Sequence, residues 1–395
     1  MGGACGNDGS VSLLTCRDPA LDPWRTGQDG DSRARPCDIF PLPSSAMSAR
    51  TTILVANPTA RTGKAEQAIE RAMTGLAAAG LDPEFFPTLP EGRTVAGLAE
   101  RLEREDVARV VYLGGDGTFA ESAKAIILAR ERYGVDVPLG MLPMGTANDQ
   151  GRSFGISAGP KALEQNIKTI AAGCEQWLDV GRIEAIDDDG EVIRSDLWFD
   201  NCGFGLSARI LAQRNRDREV VGKIPLVKQL YRDKLVYAGA AFSQMFKSMV
   251  GGPLGALFSC EVTVDGEVVE WVGLTDLVVN GTILYGGEWI FVEDSRPDDG
   301  KFEVLPFRSH ADWVMSAISR HKRNPVTDAD LEVVGLAGRE FKRGAAIEIR
   351  LFRSTLAEKI MAQIDGEEFV AATHYRVDNL FHHLRIIVPE NAHWI

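Results

Sequence analysis

The sequence predicts two consecutive domains, a doubly wound α/β domain over residues 47–172 and an antiparallel β-sandwich domain over residues 173–395. In the first, short apolar runs alternate with amphipathic helical stretches, which is typical of a parallel sheet flanked by helices. In the second, apolar and polar residues alternate around Asp-Gly turns, which indicates antiparallel hairpins. Residues 1–46 are rich in Gly, Pro, Ser and Asp without periodicity, so they are predicted to be a disordered extension, with Met47 as an alternative start.

The α/β domain begins with Thr52–Ala56, an apolar run that suits a strand buried on both faces. Between Ala65 and Leu76, apolar residues recur at i, i+3, i+4 and i+7, which predicts an amphipathic helix that ends before Gly80. The same alternation continues along the chain. Further strands are predicted at Glu84–Pro87, Arg109–Leu113 and Val137–Leu142, and further helices at Thr94–Arg104 and Phe119–Arg130.

The β domain is predicted from alternating segments at Cys260–Val269 and Ala346–Leu351. Arg214–Phe258 mixes basic with apolar residues and is predicted to be a mostly helical insert. Hairpin turns are expected at Asp189-Gly190, Asp265-Gly266, Asp299-Gly300 and Asp365-Gly366.

Composition excludes several classes of partner. The chain of 395 residues has 43 Lys and Arg against 56 Asp and Glu, a net charge of −13, which argues against general binding to nucleic acid. No apolar run reaches the roughly 20 residues that span a bilayer, so any membrane contact is expected to be peripheral. The six cysteines show no metal-ligand spacing, which favours a reducing cytoplasm.

Three turns follow three predicted parallel strands and carry the polar residues that point to chemistry. They are 57–63 (NPTARTG), 114–118 (GGDGT) and 143–149 (PMGTAND). Because ligands of open α/β sheets bind at the carboxyl edge of the strands, the three turns are expected to converge there. The glycines of GGDGT allow a phosphate chain to approach the backbone, and Asp116 between them suits a nucleotide that carries a metal ion.

Other catalytic signatures are missing. The sequence has no GxSxG serine elbow, no HExxH zinc motif and no Walker loop GxxxxGK[ST]. The acidic turns at 298–300 and 365–367 are, on local grounds alone, either solvated hairpin turns or parts of a site.

Seven segments, taken in order, resemble the diacylglycerol kinase catalytic-domain family, in particular its soluble bacterial lipid kinases. They are NPTARTGKA, LGGDGTFAESAKAI, LPMGTANDQGRSFGI, FDNCGFGLSA, VVNGTILYGGEWI, RPDDGKFEV and AQIDGEEF. The resemblance spans residues 51–389. It implies an N-terminal nucleotide-binding domain, a C-terminal β-sandwich, and ATP with Mg²⁺ between them.

The resemblance also implies roles for individual residues. Glu367 matches the general base, and Asp299, with the backbones of Arg296 and Lys301, matches a structural magnesium site. Whether Glu367 or Asp116 is the base stays open, since Asp116 is also suited to hold the catalytic Mg²⁺. The positions that match ATP contacts are Asn57, Pro58, Thr88, Gly114, Gly115, Asp116, Gly117, Thr118, Phe119, Ala120 and Thr146.

The function implied is transfer of the ATP γ-phosphate to a lipid hydroxyl, with diacylglycerol as acceptor and phosphatidic acid as product. Alternatives are a sphingoid base, ceramide or phosphatidylglycerol as acceptor, an NAD kinase, and a non-catalytic lipid or nucleotide sensor. The expected partner is a lipid at the inner face of the membrane. Residues 214–258 are a candidate segment for docking to the membrane, although packing in the protein core would explain their apolar residues equally well. Whether the protein forms a homodimer is left open by the sequence.

Overall fold

Strands and helices alternate through the first half of the described chain, as predicted. The computed structural model describes residues 51–60, 64–104, 106–145, 148–212, 257–285, 289–292, 294–308, 340–353, 360–390 and 392. The first elements are β1 (Thr51–Ala56), α1 (Lys64–Ala78), β2 (Asp82–Pro87), α2 (Arg93–Leu102), β3 (Val107–Gly114), α3 (Asp116–Tyr133), β4 (Leu139–Pro143), α4 (Asp149–Ser153) and α5 (Leu163–Ala172).

The first four strands are parallel and lie in the order β2-β1-β3-β4. Their register aligns Ala56 with Pro87 and Leu113, and Gly114 with Pro143. All four strands therefore end at one edge of the sheet, which confirms that the turns after them converge.

The second half is built of antiparallel strands. Its elements are β5 (Glu175–Ile186), β6 (Val192–Trp198), β7 (Asn201–Gly205), β8 (Phe258–Val264), β9 (Glu267–Leu274), β10 (Asp276–Asn280), β11 (Leu284–Tyr285), β12 (Trp289–Ile290), β13 (Phe302–Phe307), β14 (Lys342–Gly344), β15 (Ala346–Arg353), β16 (Ala362–Ile364), β17 (Glu367–Phe369) and β18 (His374–Ile387).

These strands complete a ten-stranded mixed sheet and form a second sheet of six strands. The large sheet runs β2-β1-β3-β4-β18-β15-β8-β9, with β5 and β6 joined through β18, and the second runs β14-β13-β10-β7-β16-β17. Side chains of both sheets share one buried core, including Trp198, Phe204, Leu277, Ile347 and Tyr375. The predicted fold class, α/β followed by a β-sandwich, is confirmed.

The last strand joins the two halves, which the sequence did not predict. β18 continues the large sheet beside β4, with Ile386 aligned to Leu139 in parallel, while it pairs antiparallel with β5 and β15. Strands from both sides of the predicted boundary at residues 172/173 therefore belong to one continuous sheet. The limits of the two domains stay a prediction.

One predicted hairpin is wrong. The turns at Asp189-Gly190, Asp265-Gly266 and Asp365-Gly366 connect paired antiparallel strands. Asp299-Gly300 instead lies in a loop before β13, which pairs with β10 and β14 rather than with the preceding strand β12. An Asp-Gly pair specifies a tight turn but not the partner of the strand that follows it.

Gly181 gives the sandwich its most sensitive position. It lies opposite Trp198 in the β5–β6 pair, and a Cβ added there would be 2.0 Å from Cε2 of the fully buried indole. We expect Gly181→Ala to lower the free energy of unfolding by about 3 kcal/mol, the upper part of the usual cost of overpacking.

Chemical denaturation tests this expectation, with Gly75→Ala as the control. Gly75 lies in helix α1, and its added Cβ would meet the side chain of Ile167, with the terminal Cδ1 the nearest atom at 2.6 Å. Alanine is also favoured over glycine in a helix by roughly 0.5–1 kcal/mol, so the control is expected to be near neutral. Equal transition midpoints for the two variants would contradict the packing account.

Several sequence predictions lie outside the described residues. These are the extension 1–46, Thr146 and most of the predicted helical insert at 214–258. Of the insert, only residues 257 and 258 are described, and residue 258 begins β8. Within the described ranges, no helix combines the length and the hydropathy that crossing a membrane requires.

Candidate active site

The GGDGT turn joins strand β3 to helix α3. Gly114 ends the strand, Gly115 is extended, and Asp116 is the first helical residue. The N–H groups of Thr118 and Phe119 donate to Gly115 O at 3.0 and 3.1 Å, which closes the first turn of the helix. The Thr118 side chain folds over Gly114, where an added Cβ would lie 2.5 Å from Thr118 Oγ1. The turn thus presents bare backbone and a helix N-terminus, an arrangement that binds anions.

The turn after β4 is fixed directly to GGDGT. The N–H groups of Met144 and Gly145 donate to Gly114 O at 2.6 and 3.1 Å. Asn148, in the left-handed conformation, accepts from Gly145 N through Oδ1 (2.7 Å) and donates its own N–H to Asp116 Oδ2 (3.0 Å). Asp116 therefore holds the second turn against the first.

Two glycines make this contact sterically demanding. A Cβ on Gly145 would lie 2.5 Å from the Cα of Gly115, so backbone meets backbone with no side chain that could move aside. We expect Gly145→Ala to separate the turns and to lower kcat/KM for ATP by about 100-fold, the cost of misplacing a site by about 1 Å.

Steady-state kinetics with varied ATP test this, with Gly97→Ala as the control. An added Cβ on Gly97, in helix α2, would meet Cδ1 of Leu89 at 3.1 Å, the end of a side chain rather than backbone. Wild-type kinetics in Gly145→Ala would show that the contact between the turns is not needed.

The first turn lies at the same edge of the sheet. Asn57 Oδ1 accepts from the N–H and the hydroxyl of Thr59 at 2.9 and 2.8 Å, which shapes the turn locally. Pro58 follows Asn57 in this turn, and Thr88 N donates to Ala56 O (2.9 Å), which places Thr88 beside the end of β1. The structure thus gathers at one edge every described position that the resemblance assigns to ATP.

Glu367 comes to this edge from the other half of the chain. It begins β17, directly after the tight turn at Asp365 and Gly366, both of which have positive φ (46° and 77°). A Cβ placed on Gly117 would lie 3.9 Å from Glu367 Oε1. The Glu367 carboxylate therefore lies near the start of helix α3, of which Asp116 is the first residue.

Asp365 anchors the turn that presents Glu367. Its carboxylate accepts backbone N–H groups from Phe199 (2.8 Å), Asp200 (2.8 Å) and Asn201 (3.2 Å). Burial raises the pKa of Asp365 to about 6 even though these three hydrogen bonds favour the charged form.

Two charged residues of helix α3 lie on the same helical face as Gly117, and neither was predicted from the sequence. Glu121 lies one helical turn after Gly117 and is half-buried; burial raises its pKa, and the charge of Glu367 raises it further. Lys124 Nζ contacts Asp196 Oδ1 at 2.6 Å. Both could have been predicted from their helical spacing, because Gly117, Glu121 and Lys124 stand at i, i+4 and i+7 and therefore share one face of the helix.

The loop predicted to hold magnesium is well fixed. Asp299 Oδ1 accepts from Lys301 N (3.0 Å), while Arg296 pairs with Asp298 (3.1 Å). Asp179, which is buried, accepts the N–H of Gly300 at 2.6 Å and so ties the loop to strand β5.

The donor set of this loop suits a hard cation. Burial raises the pKa of Asp299, a desolvation cost that a bound cation would offset, and carboxylate and carbonyl oxygens are the ligands Mg²⁺ takes. In the described ranges, no three or more His, Cys, Asp or Glu side chains are placed so that they could together hold a metal ion. The predicted set has one carboxylate and two backbone groups, so the magnesium site stays a prediction.

The family match includes the GGDGT turn. Residues 51–183 match the diacylglycerol kinase catalytic domain. The resemblance inferred from the motifs is confirmed over these residues. Over 84 residues, the chain is 42% identical to the probable lipid kinase YegS of Salmonella newport (strain SL254), and 40% identical to the one of Salmonella heidelberg (strain SL476). Each match covers 21% of this chain and about a quarter (26%) of the relative.

Solved structures share the fold over most of the chain. A diacylglycerol kinase from Bacillus anthracis str. Sterne superposes with a TM-score of 0.58 at 17% identity, covering 88% of this chain and 100% of that one. Another structure from the same strain gives 0.62 at 18% identity, with coverage of 90% and 100%. At such low identity the likeness concerns the fold alone.

Proposed function

We propose that this protein is a lipid kinase that transfers the γ-phosphate of ATP to a lipid hydroxyl, with diacylglycerol as acceptor and phosphatidic acid as product. The observation that carries the proposal is the position of Glu367 beside the GGDGT turn, where a Cβ placed on Gly117 would lie 3.9 Å from Glu367 Oε1. A carboxylate able to take a proton stands there beside a helix N-terminus able to hold phosphate.

The GGDGT edge fits a nucleotide. Gly117, in the first turn of α3, carries no side chain, and only Glu367 Oε1 lies within 4 Å of the place a Cβ would take, so a phosphate chain can approach the backbone there. When bound, ATP with Mg²⁺ supplies the phosphoryl group and the positive charge that phosphoryl transfer needs. Asp116 would hold the ion, and the N–H groups at the start of α3 would bind phosphate oxygens.

Glu367 is the proposed general base. Its carboxylate would accept the proton of the lipid hydroxyl as that oxygen attacks the phosphorus in line. Asp116 Oδ2 already accepts the N–H of Asn148, which ties Asp116 to the turn and favours a role in holding the ion.

The acceptor requires access to a membrane surface. Diacylglycerol is insoluble, and the part of the chain described here has no helix able to cross a bilayer, so we propose peripheral contact. The candidate docking segment, residues 214–258, lies outside the described ranges except for its last two residues.

Transfer of label from [γ-³²P]ATP to lipids in mixed micelles tests the proposal. The panel comprises diacylglycerol, ceramide, sphingosine and phosphatidylglycerol, with NAD as a soluble acceptor. We expect labelled phosphatidic acid to be the main product. Label in another lipid would keep the lipid kinase and replace the acceptor, whereas label in NAD alone, or in none of the acceptors, would overturn the proposal.

A further inference from the structure

Several segments that the proposed chemistry does not use meet in one chain of buried polar groups. They are FDN at 199–201, the residues after β10, the loop before β13 with the start of β13 itself, and β16. Each of the six side chains that form the chain is at most 5% exposed. They are Asp200, Asn201, Thr282, Ser295, Glu303 and Gln363.

One end of this chain is the turn that carries Glu367. Gln363 Oε1 accepts the N–H of Gly366 at 2.9 Å, and Gln363 Nε2 donates to Asn201 Oδ1 at 2.7 Å. Asp365 N also donates to Asn201 O at 2.9 Å. Together with the three N–H groups bound by the Asp365 carboxylate, these contacts fix the turn to segment 199–201.

Thr282 is the middle of the chain. Asn201 Nδ2 donates to Asp200 Oδ2 at 2.9 Å, and the Thr282 hydroxyl donates to Asp200 Oδ1. The same hydroxyl is 3.0 Å from Leu284 O, but the carboxylate is the stronger acceptor for its single proton.

The far end is the loop before β13. The Ser295 hydroxyl lies within hydrogen-bond distance of Thr282 O (3.2 Å) and of Glu303 Oε2 (2.7 Å). Arg343 Nε donates to Glu303 Oε1 at 2.9 Å. The chain therefore runs from an ion pair at the edge of the second sheet to the turn at the active site.

Buried polar chains of this kind are sensitive to the loss of one member. Removing a donor costs a buried acceptor one of its hydrogen bonds, and its neighbours shift in response. Here the Asp200 carboxylate would lose the hydrogen bond from Thr282, and the backbone N–H of Asp200 binds Asp365. We propose that Thr282 is a positioning residue for Glu367 and acts through Asp200, Asn201 and Gln363. This inference rests on the proposed function of Glu367.

Thr282→Val removes the hydroxyl at nearly constant volume, and Thr275→Val is its matched control. Thr275 is 2% exposed, and its hydroxyl donates one hydrogen bond to Phe307 O (3.1 Å), which is not part of this chain of buried polar groups. We expect Thr282→Val to lower kcat about tenfold through misplacement of Glu367, with KM for ATP unchanged. Thr282→Ser should restore kcat, and Thr275→Val should leave it unchanged.

Hydrogen exchange separates this inference from the proposed function. Thr282→Val is expected to speed amide exchange in residues 364–368 relative to β1, whereas Thr275→Val is not. If the wild type labels no lipid, the proposed function fails, and faster exchange still supports the structural link. Unchanged exchange in 364–368, or wild-type kcat in Thr282→Val of an active enzyme, overturns the inference.

Discussion

Replacing Glu367 with Gln is expected to lower kcat at least about 100-fold, within the usual range for loss of a general base. The amide has nearly the size of the carboxylate but cannot accept the proton of the lipid hydroxyl. Glu367 is exposed, and the turn before it is held by Asp365 and Gln363, so the variant should stay folded. Thermal unfolding and initial rates on diacylglycerol measure both expectations.

Glu368→Gln provides the control for this change, because it removes the same charge one residue along β17. Its kcat is expected to be close to that of the wild type, and KM for ATP should be unchanged in both variants. A Glu367→Gln enzyme with more than a third of wild-type kcat would remove Glu367 from the mechanism.

Replacing Asp116 with Asn is also expected to lower kcat by at least about 100-fold, for a different reason. The side-chain oxygen of Asn can still accept the N–H of Asn148, so the two turns should remain joined. The lost negative charge weakens the hold on Mg²⁺, and the variant should need more Mg²⁺ for half-maximal rate. Titration of the rate with Mg²⁺ measures this shift.

The same titration decides between the two roles open to Asp116. A metal ligand predicts partial recovery at high Mg²⁺, whereas a general base predicts a low rate at every Mg²⁺ concentration. Asp82→Asn, at the exposed start of β2, is the matched control and is expected to behave as the wild type. Full activity of Asp116→Asn at ordinary Mg²⁺ would exclude both roles.

The edge of the parallel sheet could be predicted from the sequence because its signals are local. Apolar runs set the strands, and the turns after β1, β3 and β4 follow them directly. Once the strands are parallel, their turns must share an edge. Helix α3 was predicted three residues too late, at Phe119 instead of Asp116, because Gly117 and Thr118 are weak helix formers that the N-terminus of this helix accommodates.

The position of Glu367 beside Gly117 could not be predicted from the hydrophobic periodicity of the sequence. It depends on pairing between distant strands: β16 lies beside β7, and β18 joins the large sheet next to β4. Register between distant strands is set by tertiary packing, which no local pattern records. Only the family resemblance pointed to Glu367, and the structure supplies the physical reason.

The buried chain around Thr282 was equally hidden. Asp200, Asn201 and Gln363 are polar residues in or beside strands, and a sequence cannot distinguish a buried, hydrogen-bonded side chain from a solvated one. The Asp299 loop shows the same limit, since its Asp-Gly pair specified a turn without specifying the strand partner.

The most direct test of the account compares the wild type and Glu367→Gln in one assay of phosphate transfer from [γ-³²P]ATP to diacylglycerol, with ATP binding measured on both proteins. The account predicts that both bind ATP with similar affinity, that the wild type forms labelled phosphatidic acid, and that the variant does so at least about 100-fold more slowly. Equal rates for the two proteins, or no labelled lipid from the wild type, would contradict it.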